Sequence, residues 1–237
     1  MKILHLYHDI MNLYGEYANV SALKRMLEKN NVSCEVEQLS VSDELKLKDY
    51  GFIYVGSGTE SNQKYVMEHL KAYKEELKSY MEEGKFLLMT GNSFEILGKE
   101  LKDAKGKEYE GLGLFGFTVT EQERVRNTAD AVFTMEGIDD PLVGFINKCS
   151  TIYGIDTPLF QIKMGLGNEA KGIKEGIHYK NFYGTHLTGP VLVKNPHFLI
   201  KIAEELCEKK LNGEYLEYEK AGYEITLREL MKRLKQV

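Results

Sequence analysis

Two glycine-bearing turns that follow apolar strands are the places where this sequence predicts chemistry. The first is Gly56–Ser61 (GSGTES), directly after the apolar run Phe52–Val55. Glycines after a strand let backbone N–H groups face inward, and the helix that follows favours negative charge at its N-terminus. Gly56, Ser57 and Gly58 are therefore candidates for an oxyanion hole or a cradle for a small anion. A tight turn without a ligand is the alternative, and the local sequence favours it because an isolated G-x-G is a weak signal.

The second turn joins the apolar run Lys85–Thr90 to a short helical segment through Gly91. A sharp strand-to-helix turn is the geometry of a nucleophile elbow, which presents a side chain at a helix N-terminus and lowers its pKa. Glycine stands at the apex, so this turn has no nucleophile of its own. Asn92 is a further candidate oxyanion donor. Ser93 is within reach, but a serine nucleophile needs a neighbouring base, and capping of the following helix is its favoured role.

Alternating strand-like and helix-like runs position these turns. The predicted strands are Lys2–Tyr7, Val32–Leu39, Phe52–Val55, Lys85–Thr90, Phe117–Thr120, Ala131–Met135, Val143–Asn147, Gly176–Tyr179 and Phe182–His186. The predicted helices follow Asn19, run from Ser61 to Met81, and occupy Pro196–Lys209 and Thr226–Gln236. Asn19 and Ser61 are expected to be N-caps, and Thr226 forms a capping box with Glu229.

The order strand, helix, strand in the first half implies right-handed crossovers and a mostly parallel α/β sheet with helices on both faces. After about residue 110 the runs become short and alternating, which indicates antiparallel additions. Parallel sheets bind ligands at the carboxyl ends of their strands, so the Gly56–Ser61 and Gly91–Ser93 turns are expected at one edge. No linker, repeat or low-complexity tract interrupts the sequence, and residues 1–237 are predicted to form a single domain.

Composition and charge exclude several classes of function. The 31 basic and 36 acidic residues give a formal charge of −5, which argues against sequence-independent binding of nucleic acid. The three cysteines are odd in number and scattered, as is typical of a reducing compartment. The first residues predict a strand rather than a signal peptide, and no run approaches the ~18 apolar residues of a membrane span, so a cytoplasmic location is expected. His5, His8 and Asp9 lack a fourth ligand, so no metal site is predicted.

Five segments resemble class I glutamine amidotransferases, above all the group that contains the glutaminase subunit of lipid II isoglutaminyl synthase and the amidotransferase domain of cobyric acid synthase. The segments are Leu6–Asn19, Val55–Gln63, Pro141–Asn147, Gly165–Asn168 and Tyr183–Pro196. The second of these is similar to the family's glycine-rich oxyanion loop, which usually reads G-G-G-Q. The resemblance covers about residues 1–210 and implies a flavodoxin-like core.

The catalytic positions of the family are replaced. Its elbow resembles C-G-G-Y-Q-L-L-G, and the match to Gly91–Gly98 puts Gly91 where the cysteine stands. Its late motif resembles G-T-Y-L-H-G-P, and Thr188 stands at the histidine. Hydrolysis of the glutamine amide in this family uses a thiolate and an imidazole, so glutaminase activity is predicted to be lost. A left-handed elbow is expected to accept cysteine in place of Gly91 at a cost of about 1 kcal/mol.

Three other residues have candidate roles near these motifs. His186 lies two positions before Thr188 on a predicted strand, so the two side chains are expected to face the same way. A structural role is favoured for His186 over a catalytic one. Arg124 and Arg126 both lie near the place of the family's glutamine-contacting arginine, and the sequence does not choose between them.

The resemblance implies a subunit that works with an ATP-dependent Mur-ligase-like synthetase. A copy without the cysteine could dock on that synthetase, stabilise it or regulate it. One alternative is an active glutaminase with Ser93 or Cys149 as a relocated nucleophile. Another is a sensor that holds glutamine or a small carboxylate in the Gly56–Gly58 loop. No cofactor is predicted, because the third glycine of a dinucleotide fingerprint is missing.

Overall fold

A computed structural model describes residues 1–235. The strands, in chain order, are β1 (Lys2–Leu6), β2 (Glu35–Leu39), β3 (Phe52–Val55), β4 (Phe86–Thr90), β5 (Glu100–Lys102), β6 (Glu108–Glu110), β7 (Thr118–Glu121), β8 (Asn127–Thr134), β9 (Leu142–Lys148), β10 (Ser150–Tyr153), β11 (Phe160–Met164), β12 (Lys174–Glu175), β13 (Ile177–Tyr179), β14 (Phe182–Thr185) and β15 (Leu187–Thr188). The α-helices are α1 (Tyr17–Lys29), α2 (Glu60–Leu70), α3 (Lys74–Glu82), α4 (Val191–Lys194), α5 (Pro196–Cys207) and α6 (Glu217–Leu234).

The central sheet has six strands in the order β13-β14-β4-β3-β1-β2. All of its pairings are parallel except that of β13 with β14. Every residue of β3 and β4 is buried, and both strands are apolar runs, as expected for parallel strands covered on both faces. The predicted mostly parallel sheet is confirmed.

Helices cover both faces of this sheet. Phe52 and Tyr54 of β3 face the core that holds Leu23 of α1 and Phe198 of α5. The intervening residues of the strand face a second core, which includes the apolar side chains of α2 and α3. Side chains alternate between the two faces of a strand. The apolar residues of β3 therefore pack against the helices on both sides of the sheet.

Two smaller sheets follow in the second half of the chain. One has the order β10-β7-β5-β6 and the other the order β12-β11-β8-β9-β15. Their pairings are antiparallel except that of β5 with β7, which confirms the predicted antiparallel additions. Helix α6 packs Tyr223 and Leu230 against Val132 and Val143 of the five-stranded sheet.

Three predicted helix starts are wrong. Helix α1 begins at Tyr17, and the amide of Asn19 bonds inside the core instead of capping a helix. Thr59 rather than Ser61 caps α2, since its side chain accepts a hydrogen bond from the Asn62 amide. Helix α6 begins nine residues before Thr226, whose hydroxyl donates to the carbonyl of Gly222.

Two predicted helices, Ser61–Met81 and the one that ends at Gln236, have different outcomes. The long helix predicted from Ser61 is divided into α2 and α3 by a 3₁₀ turn at Lys71–Tyr73. The predicted end of the last helix at Gln236 lies outside the described residues. Within residues 1–235, no helix combines the length and the apolar character that a membrane crossing requires.

Candidate functional site

The two glycine-bearing turns lie side by side at one edge of the central sheet. They follow the carboxyl ends of β3 and β4, which are parallel neighbours. Asn92 joins the turns, because its Oδ1 accepts a hydrogen bond from the Gly58 amide at 3.1 Å and its Nδ2 donates to the Gly58 carbonyl at 3.0 Å. The expected common edge is confirmed, and the Gly58 amide is already bonded within the protein.

Gly91 has the backbone conformation of an elbow. Its φ of +63° lies in the left-handed region that glycine adopts readily. A Cβ atom at this position would lie 2.9 Å from Ser57 Oγ and inside the contact distance of Ser57 Cβ. The expectation that cysteine is accommodated at the cost of backbone strain alone is therefore wrong, because the side chain of Ser57 fills the space.

An acidic side chain from another part of the chain occupies the predicted anion cradle. Glu16, immediately before α1, is fully buried. Its Oε2 accepts hydrogen bonds from the Ser57 amide at 2.5 Å and from the Ser57 hydroxyl at 2.8 Å. The Leu13 amide donates to the Ser57 carbonyl at 3.0 Å, which holds the segment before α1 against the turn. A carboxyl group of the protein itself thus lies at the turn where the sequence predicts a small anion.

The environment of Glu16 changes its acidity. Burial raises the pKa of Glu16 to about 7, and the two hydrogen bonds from Ser57 offset only part of that rise. Thr90 and the Gly189 amide also favour the charged form, although Oε1 makes no hydrogen bond of good geometry within residues 1–235. The carboxyl group therefore titrates near neutral pH.

The cavity beside the two turns is almost filled. Ser57, Gly58 and Asn92 line it together with Lys148 and Cys149. Its volume of about 20 Å³ holds roughly one water molecule. Small-molecule pockets usually measure about 300–1,000 Å³, so this cavity has no room for an amino acid in the conformation described.

A chain of polar side chains covers the cavity. Asn147 Nδ2 donates to Tyr14 Oη at 3.0 Å, and Arg126 donates to Asn147 Oδ1 at 3.1 Å and pairs with Glu60. The side chain of Arg124 is 89% exposed, and this residue does not line the cavity. Of the two candidate arginines, Arg126 is the one that the fold brings to the site.

Thr188 and His186 do not face the same environment. Strand β14 ends at Thr185 and β15 begins at Leu187 in a different sheet, so His186 lies at a break between strands. The Thr188 hydroxyl donates to the Phe145 carbonyl at 3.1 Å. The His186 side chain instead meets two glutamates. The expected common orientation is wrong, because the alternation of one strand does not continue through position 186.

His186 is held between Glu95 and Glu175. Its Nε2 lies 3.0 Å from Glu95 Oε1 and its Nδ1 lies 3.0 Å from Glu175 Oε1, and all three side chains are buried. A neutral imidazole donates from only one ring nitrogen, so two carboxylate acceptors require one more proton within the cluster. This buried arrangement, with both ring nitrogens in hydrogen-bond contact, supports the predicted structural role of His186.

Other buried groups complete the cluster. Burial would raise the pKa of Glu95, but the hydrogen bond and charge of His186, with donors from Ser150 and Gln63, hold that pKa below its usual value. Lys148 lies nearby, and its ammonium donates to the carbonyls of Gly167 and Asn168. Burial lowers the pKa of Lys148, while Glu175 and Glu95 act in the opposite direction. The cluster is therefore an ionic core and not an open substrate pocket.

Comparison with known proteins identifies the family behind this site. Residues 2–196 match the CobB/CobQ-like glutamine amidotransferase domain, which is most of the chain. This chain belongs to the CobB/CobQ-like glutamine amidotransferase family. Helix α6 lies beyond the matched residues.

Two relatives of this amidotransferase are the GatD subunits of lipid II isoglutaminyl synthase (glutamine-hydrolyzing). The Streptococcus pneumoniae protein is 31% identical over 212 residues, which cover 89% of this chain and 82% of the relative. The Staphylococcus aureus protein is 32% identical over 210 residues, which cover 89% and 86%. Both therefore align along most of their length.

Solved structures show the same fold. A glutamine amidotransferase from Thermotoga maritima superposes with a TM-score of 0.54 and 15% identity, over 99% of this chain and 97% of that one. A second glutamine amidotransferase gives a TM-score of 0.54 and 16% identity, over 84% of this chain and 98% of its own. These likenesses extend the α/β architecture of the amidotransferases to this chain.

The two candidates for a relocated amidotransferase nucleophile have unsuitable surroundings. Ser93 Oγ donates to the carbonyls of Val55 and Thr90, so it neither caps a helix nor contacts a base. Cys149 Sγ lies 3.3 Å from a Glu60 carboxylate oxygen. Burial and that neighbouring charge raise the pKa of Cys149 to about 12, which leaves very little thiolate at neutral pH.

Local patterns do not single out the buried acids of this site. Glu16, Glu95 and Glu175 were not candidates, although Glu95 stands inside the apolar run Phe94–Leu97. An acidic residue inside such a run indicates a buried carboxylate with specific partners, since carboxylates are rarely buried without them. Across residues 1–235 the structure contains no group of three or more histidine, cysteine or acidic side chains arranged to hold a metal ion.

Proposed function

We propose that this chain is an amidotransferase-type subunit that does not hydrolyse glutamine and that acts by binding a synthetase. The observation that carries the proposal is Gly91, a residue without a side chain at the apex of the elbow. Amide hydrolysis by a thiolate requires a cysteine at that apex, and Gly91 has no thiol to supply.

The remaining requirements of the reaction support the same conclusion. A tetrahedral intermediate needs free N–H donors aimed at its oxyanion. The Ser57 amide is bonded to Glu16 and the Gly58 amide to Asn92. A general base is also needed. Thr188 stands at the expected histidine position, and its hydroxyl donates a hydrogen bond to a backbone carbonyl. The cavity of about 20 Å³ leaves no space for glutamine.

The proposed partner follows from the relatives. Their names describe glutamine-hydrolysing subunits of lipid II isoglutaminyl synthase. The alignment with these subunits over 89% of the chain supports a retained surface for the synthetase. We therefore assign the partner to the ATP-dependent, Mur-ligase-like class, and the role of the chain to docking and stabilisation or regulation of that enzyme.

The alternatives have less support. The two candidates for a relocated nucleophile are Ser93, whose hydroxyl contacts only carbonyls, and Cys149, whose raised pKa keeps the thiol protonated. A sensor for small carboxylates would use the Gly56–Gly58 loop, but Glu16 occupies that position.

Release of ammonia from glutamine tests the proposal directly. The purified chain is assayed alone and with a candidate ATP-dependent, Mur-ligase-like synthetase, and the GatD relative from Staphylococcus aureus serves as the positive control. We expect no release above background in either case and co-purification with the synthetase. Turnover that disappears in Ser93→Ala or Cys149→Ala would overturn the loss of hydrolysis. A chain that co-purifies with none of the Mur-ligase-like synthetases tested would overturn the partner role.

A further inference from the structure

The side chain of Ser57 lies directly against Gly91, which has no side chain. Gly91 has no side chain, and Ser57 points its hydroxymethyl group at the place where one would begin. A Cβ atom on Gly91 would be 2.9 Å from Ser57 Oγ and 3.2 Å from Ser57 Cα. The space that belongs to the side chain at the elbow apex is therefore occupied from the neighbouring strand.

Glu16 holds this side chain in place. The Ser57 hydroxyl and amide both donate to Glu16 Oε2, so the serine rotamer is fixed by a bond to a fully buried carboxyl group. The same oxygen would lie 2.9 Å from a Cβ atom on Gly56. The glycine at position 56 thus leaves room for the Met11 carbonyl, 2.5 Å from the same Cβ position, and for the carboxyl group of Glu16.

We propose that Ser57 and Glu16 form an intramolecular plug in the elbow. The hydroxymethyl group of Ser57 takes the volume of the apex side chain, and the carboxyl group of Glu16 takes the place of a bound anion. The cradle is therefore a carboxylate site whose ligand is the chain itself. This inference deepens the proposed function, on which it rests only for the identification of Gly91 with the nucleophile position.

A double-mutant cycle on thermal unfolding tests the first part of the plug. Gly91→Cys alone should lower Tm by roughly 5–15 °C, from overpacking together with a left-handed cysteine. Ser57→Gly in the same chain should recover at least half of that loss, since it removes the colliding atoms. The matched control is Ser61→Gly, an exposed serine in α2, which should recover nothing.

The cycle can also refute the proposal. If Ser57→Gly lowers Tm equally in the presence and absence of Gly91→Cys, the two positions are independent and no plug exists. If neither Gly91→Cys nor the double variant folds, Ser57 is not the obstacle and the proposal is overturned. If only the double variant folds, the plug is supported.

Binding of sodium formate and sodium acetate tests the second part. The Glu16→Ala variant, which keeps both Ser57 donors, should bind either anion saturably, seen as a Tm that rises with anion concentration beyond the rise in sodium chloride. The unmodified chain should show no such excess. Equal responses of the two proteins would overturn the assignment of Glu16 as the internal ligand.

These readouts are independent of catalysis. Ammonia release by the unmodified chain would refute the proposed function without altering the cycle, whereas additive Tm changes would refute the plug and leave the absence of hydrolysis intact. The two conclusions therefore fail separately.

Discussion

Glu16 accepts two hydrogen bonds from one residue, since both the backbone amide and the hydroxyl of Ser57 donate to its Oε2, at 2.5 and 2.8 Å. The two residues are 41 positions apart in sequence, and the contact joins the start of α1 to the end of β3. The two hydrogen bonds stabilise the charged form of the carboxyl group, whereas its burial away from water destabilises that form. Burial has the larger effect, so the pKa of Glu16 is raised.

The first prediction concerns the pH dependence of stability. The pKa of Glu16 is about 7 in the folded chain, against an ordinary value of 4.5. The folded state then holds the proton more tightly, so the free energy of unfolding falls as pH rises from about 4.5 to 7 and is flat above. The full loss is about 3 kcal/mol at 1.36 kcal/mol for each pKa unit. Glu16→Gln should remove that slope in urea titrations at pH 5 and pH 8.

The exposed Glu44 provides the control for this measurement. Glu44→Gln should leave the difference between pH 5 and pH 8 as it is in the unmodified chain. An unchanged slope in Glu16→Gln would show that Glu16 is not the group that titrates.

The second prediction concerns the buried histidine. His186→Ala leaves Glu95 and Glu175 without their shared donor, and loss of one partner from a buried ionic cluster costs about 3–5 kcal/mol. His186 keeps the pKa of Glu95 below its usual value, so the stability that Glu95 contributes is present at neutral pH and disappears only in acid. The loss caused by His186→Ala should therefore be larger at pH 7 than at pH 3, since this stabilisation is lost only as pH falls below the ordinary value of 4.5.

Urea unfolding of His186→Ala at the two pH values checks this expectation, with the partly buried His8→Ala as the comparison. A destabilisation that is below 1 kcal/mol (about the value of one ordinary hydrogen bond), or that is independent of pH, would contradict the ionic description of the cluster.

The third prediction concerns thiol reactivity. Cys149 has a pKa of about 12, from burial and the Glu60 carboxylate, so it should react with iodoacetamide at pH 8 more slowly than Cys34 or Cys207. Glu60→Gln removes a charge 3.3 Å from the sulfur and should accelerate alkylation of Cys149 by about 3–10-fold. Peptide mass spectrometry gives the rate at each cysteine. Reaction of Cys149 as fast as the other two in the unmodified chain would disprove the assignment.

The fourth prediction concerns Asn19, whose Oδ1 accepts from the Leu192 amide at 2.9 Å and whose Nδ2 donates to Tyr54 Oη at 2.8 Å. Asn19→Ala leaves both buried partners unsatisfied and should cost about 2–4 kcal/mol, well above the ~1 kcal/mol of an ordinary N-cap. Ser21→Ala, on the exposed side of the same helix, is the control and should change stability by less than ~0.5 kcal/mol. A value for Asn19→Ala near that of the control would contradict its role between α1, β3 and α4.

The architecture of the central sheet was largely predictable from local patterns. Phe52–Val55 has the predicted bounds of β3, and β4 begins one residue after its predicted start at Lys85. Apolar runs of this kind need burial on both faces, which only a covered parallel sheet provides. Helix starts were less predictable, because Asn19 and Thr226 are good capping residues by type but their side chains found other partners once α1 and α6 were packed. The assignment of the whole chain to a single domain stays a prediction.

The sequence by itself determined that Gly91 lies at a sharp turn after a buried strand, and that no nucleophile stands there. Both statements depend on residue type and local pattern, which the linear chain contains. Only the tertiary structure decided what fills the site. Glu16 and Ser57 meet across 41 positions, and His186 lies between acids that are 91 and 11 positions away. Contacts over such separations depend on how β1, β3, β4 and β14 lie side by side in the sheet. Burial of the resulting charges then sets their pKa values. No local sequence pattern contains either the contacts or these pKa values.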